Sequence, residues 1–279
     1  MTTATIPAQP VAVEELRRAW LAVQAGAFRH PATRPPAPPA PQAAAPAGPT
    51  ASVWTPASGE RVLPVVGAAG SSGATTVALA LATSAGGRAR VVECCTASHS
   101  GLVAASTAEL GADDVGWLHG SRYLVLLDRA DGPRPTLDAV PAPPPAEAPL
   151  LTIVDVGHQL EQILAGSGWL SGLLTGGPMV VLVARATVPG LRRLESSLHL
   201  LAGVPVAAVV GPPLRRWPRP VRSSVCRLTG SLIESGRLVQ VPEDRQLAAL
   251  GITPRPLPGP LLGAAGSLFA LAEGTPDAR

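Results

Sequence analysis

The chain contains no lysine and no asparagine: all 22 of its basic residues are arginine. A GC-rich coding bias accounts for much of this, because arginine codons replace lysine codons there. Whatever its cause, the absence excludes every mechanism that needs a lysine from this chain: a Schiff base, a Ser-Lys dyad, or the lysine of a Walker loop. Aromatic residues make up only 3% of the chain, while 32 Pro and 29 Gly are far more than a compact core uses, so part of the chain reads as linker. The 46% hydrophobic fraction of the 279 residues still suffices for one sizeable domain with appendages. Three cysteines, Cys94, Cys95 and Cys226, form no disulfide framework and point to a reducing compartment. There is no N-terminal apolar segment of the signal type, and no run approaches the ~18 apolar residues of a membrane span. The expectation is a cytoplasmic protein, at most peripheral to a membrane.

The formal charge of +3 is local. Arg215, Arg216, Arg219 and Arg222 lie within eight residues that hold no acid, leaving 18 arginines against 19 acids elsewhere. With Trp217 they read as a basic, aromatic-containing loop. It is either a solvated surface or a contact for nucleic-acid phosphates, anionic lipid or an acidic partner.

Residues 1–30 carry an amphipathic helix over 13–28, with Val13, Leu16, Trp20, Val23 and Ala27 on one stripe and Glu14 paired with Arg18. Three placements are open to it: folding back on the main domain, docking into a protein partner's groove, or lying on a membrane surface. Residues 31–60 form a Pro/Ala-rich linker that would reach ~60 Å if its proline-rich stretch is fully extended. From residue 61 to 273, short apolar runs alternate with helical stretches. Strands are expected at 62–67, 90–95, 122–129, 150–157, 178–185, 205–211 and 237–244. Helices are expected at 75–86, 159–175, 188–202, 220–235 and 260–273. A second Pro-rich segment, 133–149, reads as a surface loop, and 274–279 as a tail. Continuously apolar strands alternating with helices indicate an α/β three-layer sandwich with a mainly parallel sheet.

The most specific local feature is GAAGSSGATT, from Gly67 to Thr76, between the first strand and its helix. A phosphate-cradling loop needs small residues, so that backbone N–H groups and a helix N-terminus converge on the anion. Gly67, Gly70, Ser71, Ser72, Gly73, Ala74, Thr75 and Thr76 form that candidate cradle. Against G/A-x-x-x-x-G-K-[ST], Ala68 to Thr75 departs at one position, where Ala74 replaces lysine. A charge-assisted hydrogen bond contributes roughly 1.5–3 kcal/mol, so its loss weakens triphosphate binding by about ten- to a hundred-fold.

The order VVGAAGSSGATTVALALA, RVVECC, LLTIVDVG, VVLVARATVPGLRRLESSLHLL and VQVPEDRQLAALGITPRPL resembles the ParA/MinD superfamily of deviant P-loop ATPases. That family's loop reads KGGxGKTT. Here Ala69 stands at the signature lysine and Ala74 at the Walker lysine, a degenerate Walker A, while Gly73, Thr75 and Thr76 remain. The GATT ending is similar to the TadZ/CpaE branch, which helps to place pilus and secretion machinery. The resemblance implies ATP with Mg²⁺ as cofactors, Thr75 and Asp155 as the metal residues when nucleotide binds, and Glu93 near the water-orienting acid. Pro242, Glu243 and Asp244 match a segment near the adenine. A homodimer is a further partner option it brings.

With Ala69, Ala74 and no lysine, the expected activity is weak nucleotide binding without appreciable hydrolysis, in a non-catalytic adaptor for a pilus, secretion or conjugation assembly. A slow ATPase with a substitute cation such as Arg185, or a DNA-partition protein using its Arg-rich loop, are the alternatives. Cys94, Cys95 and His99 lack the ligand set of a metal site. His30, His119, His158 and His199 show no catalytic spacing, and neither G-x-S-x-G nor H-E-x-x-H occurs.

Overall fold

The computed structural model describes residues 13–24, 54–132, 137–145, 151–176, 179–201, 203 and 205–274. The chain divides into two units, Met1–Gly48 and Pro49–Arg279. In the first, helix α1 spans Val13–Gln24, and Trp20 and Leu21 on it are more than half exposed. Residues 25–28 of the expected helix, most of the expected linker (31–53) and residues 275–279 of the expected tail lie outside the described residues.

The second unit is built on strands β1 (Arg61–Gly67), β2 (Ala89–Glu93), β3 (Ala108–Ala112), β4 (Trp117–Arg122), β5 (Val125–Ala130), β6 (Leu151–Asp155), β7 (Val181–Arg185), β8 (Val206–Val210) and β9 (Leu238–Val241). They form one sheet in the order β3-β4-β5-β2-β6-β1-β7-β8-β9. Every pairing from β5 to β9 is parallel, including β1 with β6 and β7, as the apolar strands required. Side chains alternate between two cores. Val65, Val91, Ile153, Val181 and Val183 face helices α2 (Ala74–Ser84) and α9 (Gly259–Glu273). Val66, Val92, Val154, Leu182 and Ala184 face the other layer. That layer holds α3 (Leu160–Ala165), α4 (Trp169–Gly176), α5 (Val188–Leu200), α6 (Arg219–Arg222) and α7 (Arg227–Glu234). Strands covered on both faces have no position left for polar alternation. Helix α2 is apolar nearly all round, with Val77 to Ala82 buried, because it lies between the sheet and α9.

Four expectations are corrected. The strand expected at 122–129 is the end of β4 and most of β5, joined by a tight turn in which Tyr123 has φ 53°. These two strands and β3 pair antiparallel, adding a hairpin edge to the parallel sheet. The helix expected at 159–175 breaks at Gly166–Gly168, and that at 220–235 breaks between Arg222 and Arg227. A short helix α8 (Arg245–Leu250), capped by the Asp244 carboxylate, follows β9. The Pro-rich segment expected as a surface loop is packed over 137–145: the carbonyls of Val140, Ala142 and Pro144 accept from Trp169 Nε1, Trp117 Nε1 and Arg90. A proline-rich chain cannot pair as a strand, but its carbonyls can still satisfy buried donors.

The fourth concerns where the folded unit begins. Residues 54–60, assigned by composition to the linker, belong to it. Trp54 meets Trp169 edge-on at 5.3 Å between ring centroids. Glu60 accepts from Arg90 at 2.6 Å and also from the Thr152 hydroxyl. Arg90 is 3% exposed, donates to Thr152 Oγ1 at 2.8 Å and Pro144 O at 2.7 Å, and lies 3.6 Å from Asp128. Against the burial that raises it, donors from Thr152, the Ala57 N–H and Arg90 hold the Glu60 carboxyl below its ordinary range. Among the described residues no helix is long and apolar enough to cross a membrane.

Candidate phosphate-binding site

The loop between β1 and α2 closes tightly. Gly73 precedes α2 in the left-handed region at φ 95°, directly before the right-handed turn that opens at Ala74, and Ser71 also has a positive φ, 58°. A left-handed residue followed by a right-handed one is the conformational pair of an anion nest, here at a helix N-terminus. Gly67 has no room for a side chain, since a Cβ there would lie 2.6 Å from Ser72 Oγ. Ser72 is 3% exposed, inside the loop. Ser71 stands where KGGxGKTT has its second glycine, and it holds a backbone conformation that L side chains rarely adopt. Ala74 opens α2 without a charge.

The sheet brings the expected acids to this loop. Asp155 ends β6 and Glu93 ends β2, directly opposite each other, and Glu93 is equally opposite Arg129 on β5. Asp155, Glu93 and Arg129 share the α2 face, because Ile153, Val91 and Leu127, two residues earlier on each strand, belong to the α2 core. Asp155 is 1% exposed, and neither carboxylate oxygen has a hydrogen bond of good geometry. Burial, with the nearby Glu93 charge, pushes its pKa up to about 7, while the neighbouring Thr75 hydroxyl partly opposes the rise. Asp155 does not cap α3, whose N-cap residue is Gln159 with no side-chain bond.

The Glu93 carboxylate is engaged by the segment that follows β2. Its Oε1 accepts from the N–H groups of Gly101 at 2.9 Å and Leu102 at 3.2 Å, and its Oε2 from the Ser100 hydroxyl. Burial raises its carboxyl above the ordinary range against these donors and the Arg129 charge. Arg129 is 5% exposed and pairs with Glu109 of the β3 edge, and its Nε has no partner. Cys94 and Cys95 are buried after β2, and burial raises both thiols. They are inert rather than nucleophilic.

A cavity of about 540 Å³ runs from the loop toward β9. Ser71, Gly73, Thr75 and Thr76 line one end, and Val210, Pro242, Glu243, Asp244 and Leu247 the other. The loop and the VPED segment thus line one cavity. Arg185 is the one cation among the described lining residues, and its guanidinium is paired with Glu243. Glu243 thus neutralises that cation, and Asp244 is the N-cap of α8, accepting from Gln246 and Leu247 N–H. Gly67, Gly70, Ser72, Ala74 and Asp155, five of the nine expected site residues, lie outside the described lining.

A divalent cation fits the orphaned Asp155 carboxylate beside Thr75, two hard oxygen donors that leave the remaining positions to phosphate and water. A triphosphate fits the loop backbone but finds no ammonium at Ala74. Among the described residues, no three His, Cys, Asp or Glu side chains are grouped to hold a metal by themselves.

The Arg-rich stretch is not an open loop. Trp217 is 2% exposed and donates to Pro212 O, while Arg215, Arg216, Arg219 and Arg222 stay exposed on a 3₁₀ turn and α6. Exposed Arg192 and Arg193 of α5 and Arg227 of α7 lie on the same layer. Glu195 between them is spent on the Leu228 and Thr229 N–H groups. Sequence spacing could not have joined these segments.

No family model and no curated protein matches the chain. Solved structures do. Apo McdA from Cyanthece is similar at 12% identity and a TM-score of 0.50, over 75% of this chain and 99% of that one. The cell division ATPase MinD of Pyrococcus furiosus is 18% identical, with a TM-score of 0.45 over 76% and 98%. A ParA family ATPase from Chlorobium tepidum TLS is 14% identical, with a TM-score of 0.43 over 77% and 93%. At these identities the likeness is one of fold. Residues 54–274 have the P-loop NTPase-like α/β fold seen in ParA/MinD proteins.

Proposed function

We propose that the protein is a ParA/MinD-like adaptor with a degenerate Walker A loop, which binds ATP·Mg²⁺ weakly and does not turn it over appreciably. The observation that carries this reading is Ala74 at the first position of α2, in a chain without lysine. The loop amides and the α2 N-terminus cradle phosphate, and Thr75 and Asp155 hold the metal, which supplies charge neutralisation when bound. Nothing on the loop meets charge developing in a transition state, and Glu93, the acid nearest the water-orienting position, is engaged by Ser100, Gly101 and Leu102. Steady-state hydrolysis by the isolated protein should stay at background. Turnover at the rates usual for this superfamily, abolished by Thr75→Val or Asp155→Ala, contradicts the reading.

The role proposed is positioning of a pilus, secretion or conjugation assembly from the cytoplasm, peripheral to a membrane, in the manner of the TadZ/CpaE branch. The partner is a protein held through residues 13–28 or through the α/β domain, and a homodimer is compatible with either. Deletion of residues 1–30 should abolish partner capture while leaving the main domain folded. Normal recruitment by that truncation moves the docking surface to the α/β domain.

A second reading has its own support in the exposed arginines of α5, α6 and α7, among which Glu195 is already engaged by the Leu228 and Thr229 N–H groups. Such a surface suits nucleic-acid phosphates without sequence preference, and the burial of Trp217 removes base stacking. It requires DNA affinity that falls steeply with salt and collapses when Arg215, Arg216, Arg219 and Arg222 become Ala.

A further inference from the structure

The segment after β2 doubles back over the phosphate site. A 3₁₀ turn at Ala97–His99, closed by the His99 N–H on Thr96 O at 2.8 Å, carries the chain to Ser100, Gly101 and Leu102. Leu102 is wholly buried in the α2 core, so it anchors the far end. Gly101 lies against Thr75: a Cβ on it would stand 3.0 Å from Thr75 Cγ2 and 3.7 Å from Thr75 Oγ1. The candidate metal residue Asp155 is 1% exposed with both oxygens unpartnered. A hydrated divalent cation needs oxygens at roughly 2.0–2.1 Å on every side. Gly101 packs against the Thr75 side chain at the wall of the cavity, so a cation and its water at the Thr75 hydroxyl would have to share that wall with it.

One side chain holds the segment down. The buried Glu93 carboxylate receives the Gly101 and Leu102 N–H groups and the Ser100 hydroxyl, three donors from three successive residues. Among the described residues no other side chain bonds to Ser100–Leu102. Ionised carboxylates accepting backbone N–H bonds make strong, geometrically specific contacts. Glu93 is itself held in place by its strand position, between Arg129 and Asp155.

We propose that Glu93 is a latch that keeps Ser100–Leu102 drawn in against Thr75, so that the metal–nucleotide site is autoinhibited until the latch releases. The autoinhibition rests on the nucleotide reading above; the latch itself does not. Opening frees the space beside Thr75. Weak binding then has two separable causes: the missing charge at position 74, and the work of lifting this segment.

Hydrogen exchange of the full chain, read residue by residue, tests the latch without any ligand. In Glu93→Gln the Gly101 and Leu102 amides should exchange at least ~10-fold faster than in the wild type, with the amides of β1 and α2 unchanged. Unchanged exchange at 101 and 102 overturns the latch. Gly101→Ala, which wedges against Thr75 without touching the carboxylate, should open the same segment and serves if Glu93→Gln unfolds. Titration with ATP·Mg²⁺ then separates the two claims. Tighter binding by the opened variant, with loss of protection at 101 and 102 in the liganded wild type, supports autoinhibition. Equal or weaker binding by the opened variant overturns it. If the segment opens and neither protein binds, the nucleotide reading fails while the latch stands.

Discussion

Arg90 and Asp155 are both buried in one sheet, on opposite faces and toward opposite ends of its strands, and their surroundings treat charge in contrary ways. Arg90 donates to Glu60, Thr152 and Pro144, and Asp128 lies 3.6 Å away, so every part of its guanidinium is answered. Asp155 has two oxygens with no hydrogen-bond partner and an acid, Glu93, directly across the ladder. The first arrangement ties the approach to β1 and the Pro-rich 137–145 segment onto the sheet. The second stabilises nothing in the folded chain, and a buried carboxylate without a partner is costly. A cost kept at the carboxyl ends of parallel strands, beside a glycine loop, is what an absent cation would offset.

The largest expected effect comes from breaking the satisfied cluster. Arg90→Ala leaves Glu60 buried without its cation and should cost about 3–5 kcal/mol in urea unfolding. A loss under ~1 kcal/mol contradicts the assigned role. The converse substitution at the unsatisfied end should stabilise. Folded Asp155 titrates at about 7 against an ordinary 3.8, so between these values the folded state holds a proton that the unfolded state has released. Stability therefore falls as pH rises from 3.8 to 7 and levels off above. Without divalent cations, Asp155→Asn should match the wild type near pH 3.8 and exceed it by up to about 4 kcal/mol at pH 8. A pH-independent difference would falsify this account of the carboxyl. Smaller still, Ser71→Gly should stabilise by about 1 kcal/mol by relieving the left-handed backbone at φ 58°. At the exposed arginines, Arg219→Ala should change stability by less than ~0.5 kcal/mol, because no packed group depends on it.

How much of this was legible depended on whether the signal was local. β1, β2, β6, β7 and β8 are short, mainly apolar runs rich in Val, without polar alternation, and alternate with helical stretches as doubly covered strands do; the glycine loop announces itself by spacing. β3 was not legible. Its five residues, AELGA, are all exposed, and a register shift between Glu109 and Gly111 breaks the alternation. Tyr123 and Leu124 look like strand interior by type, yet they form the exposed turn between β4 and β5. Glu60 looked like linker because its neighbours are Pro, Ala and Ser, and only the fold brings it to Arg90. At the candidate site, Thr75 and Asp155 were singled out by the resemblance, since each follows an apolar strand or a glycine loop that marks its place. The inward engagement of Glu93 was not, since it depends on a loop eight residues later in the chain returning to the same strand end.

The central claim is that the cradle survives while its cation is missing. Calorimetric titration of the full chain and of Ala74→Lys with ATP·Mg²⁺ tests it most directly. The account predicts weak binding by the wild type and affinity higher by about ten- to a hundred-fold in Ala74→Lys, the equivalent of one charge-assisted hydrogen bond. Tight binding by the wild type, unchanged by the added lysine, would contradict it.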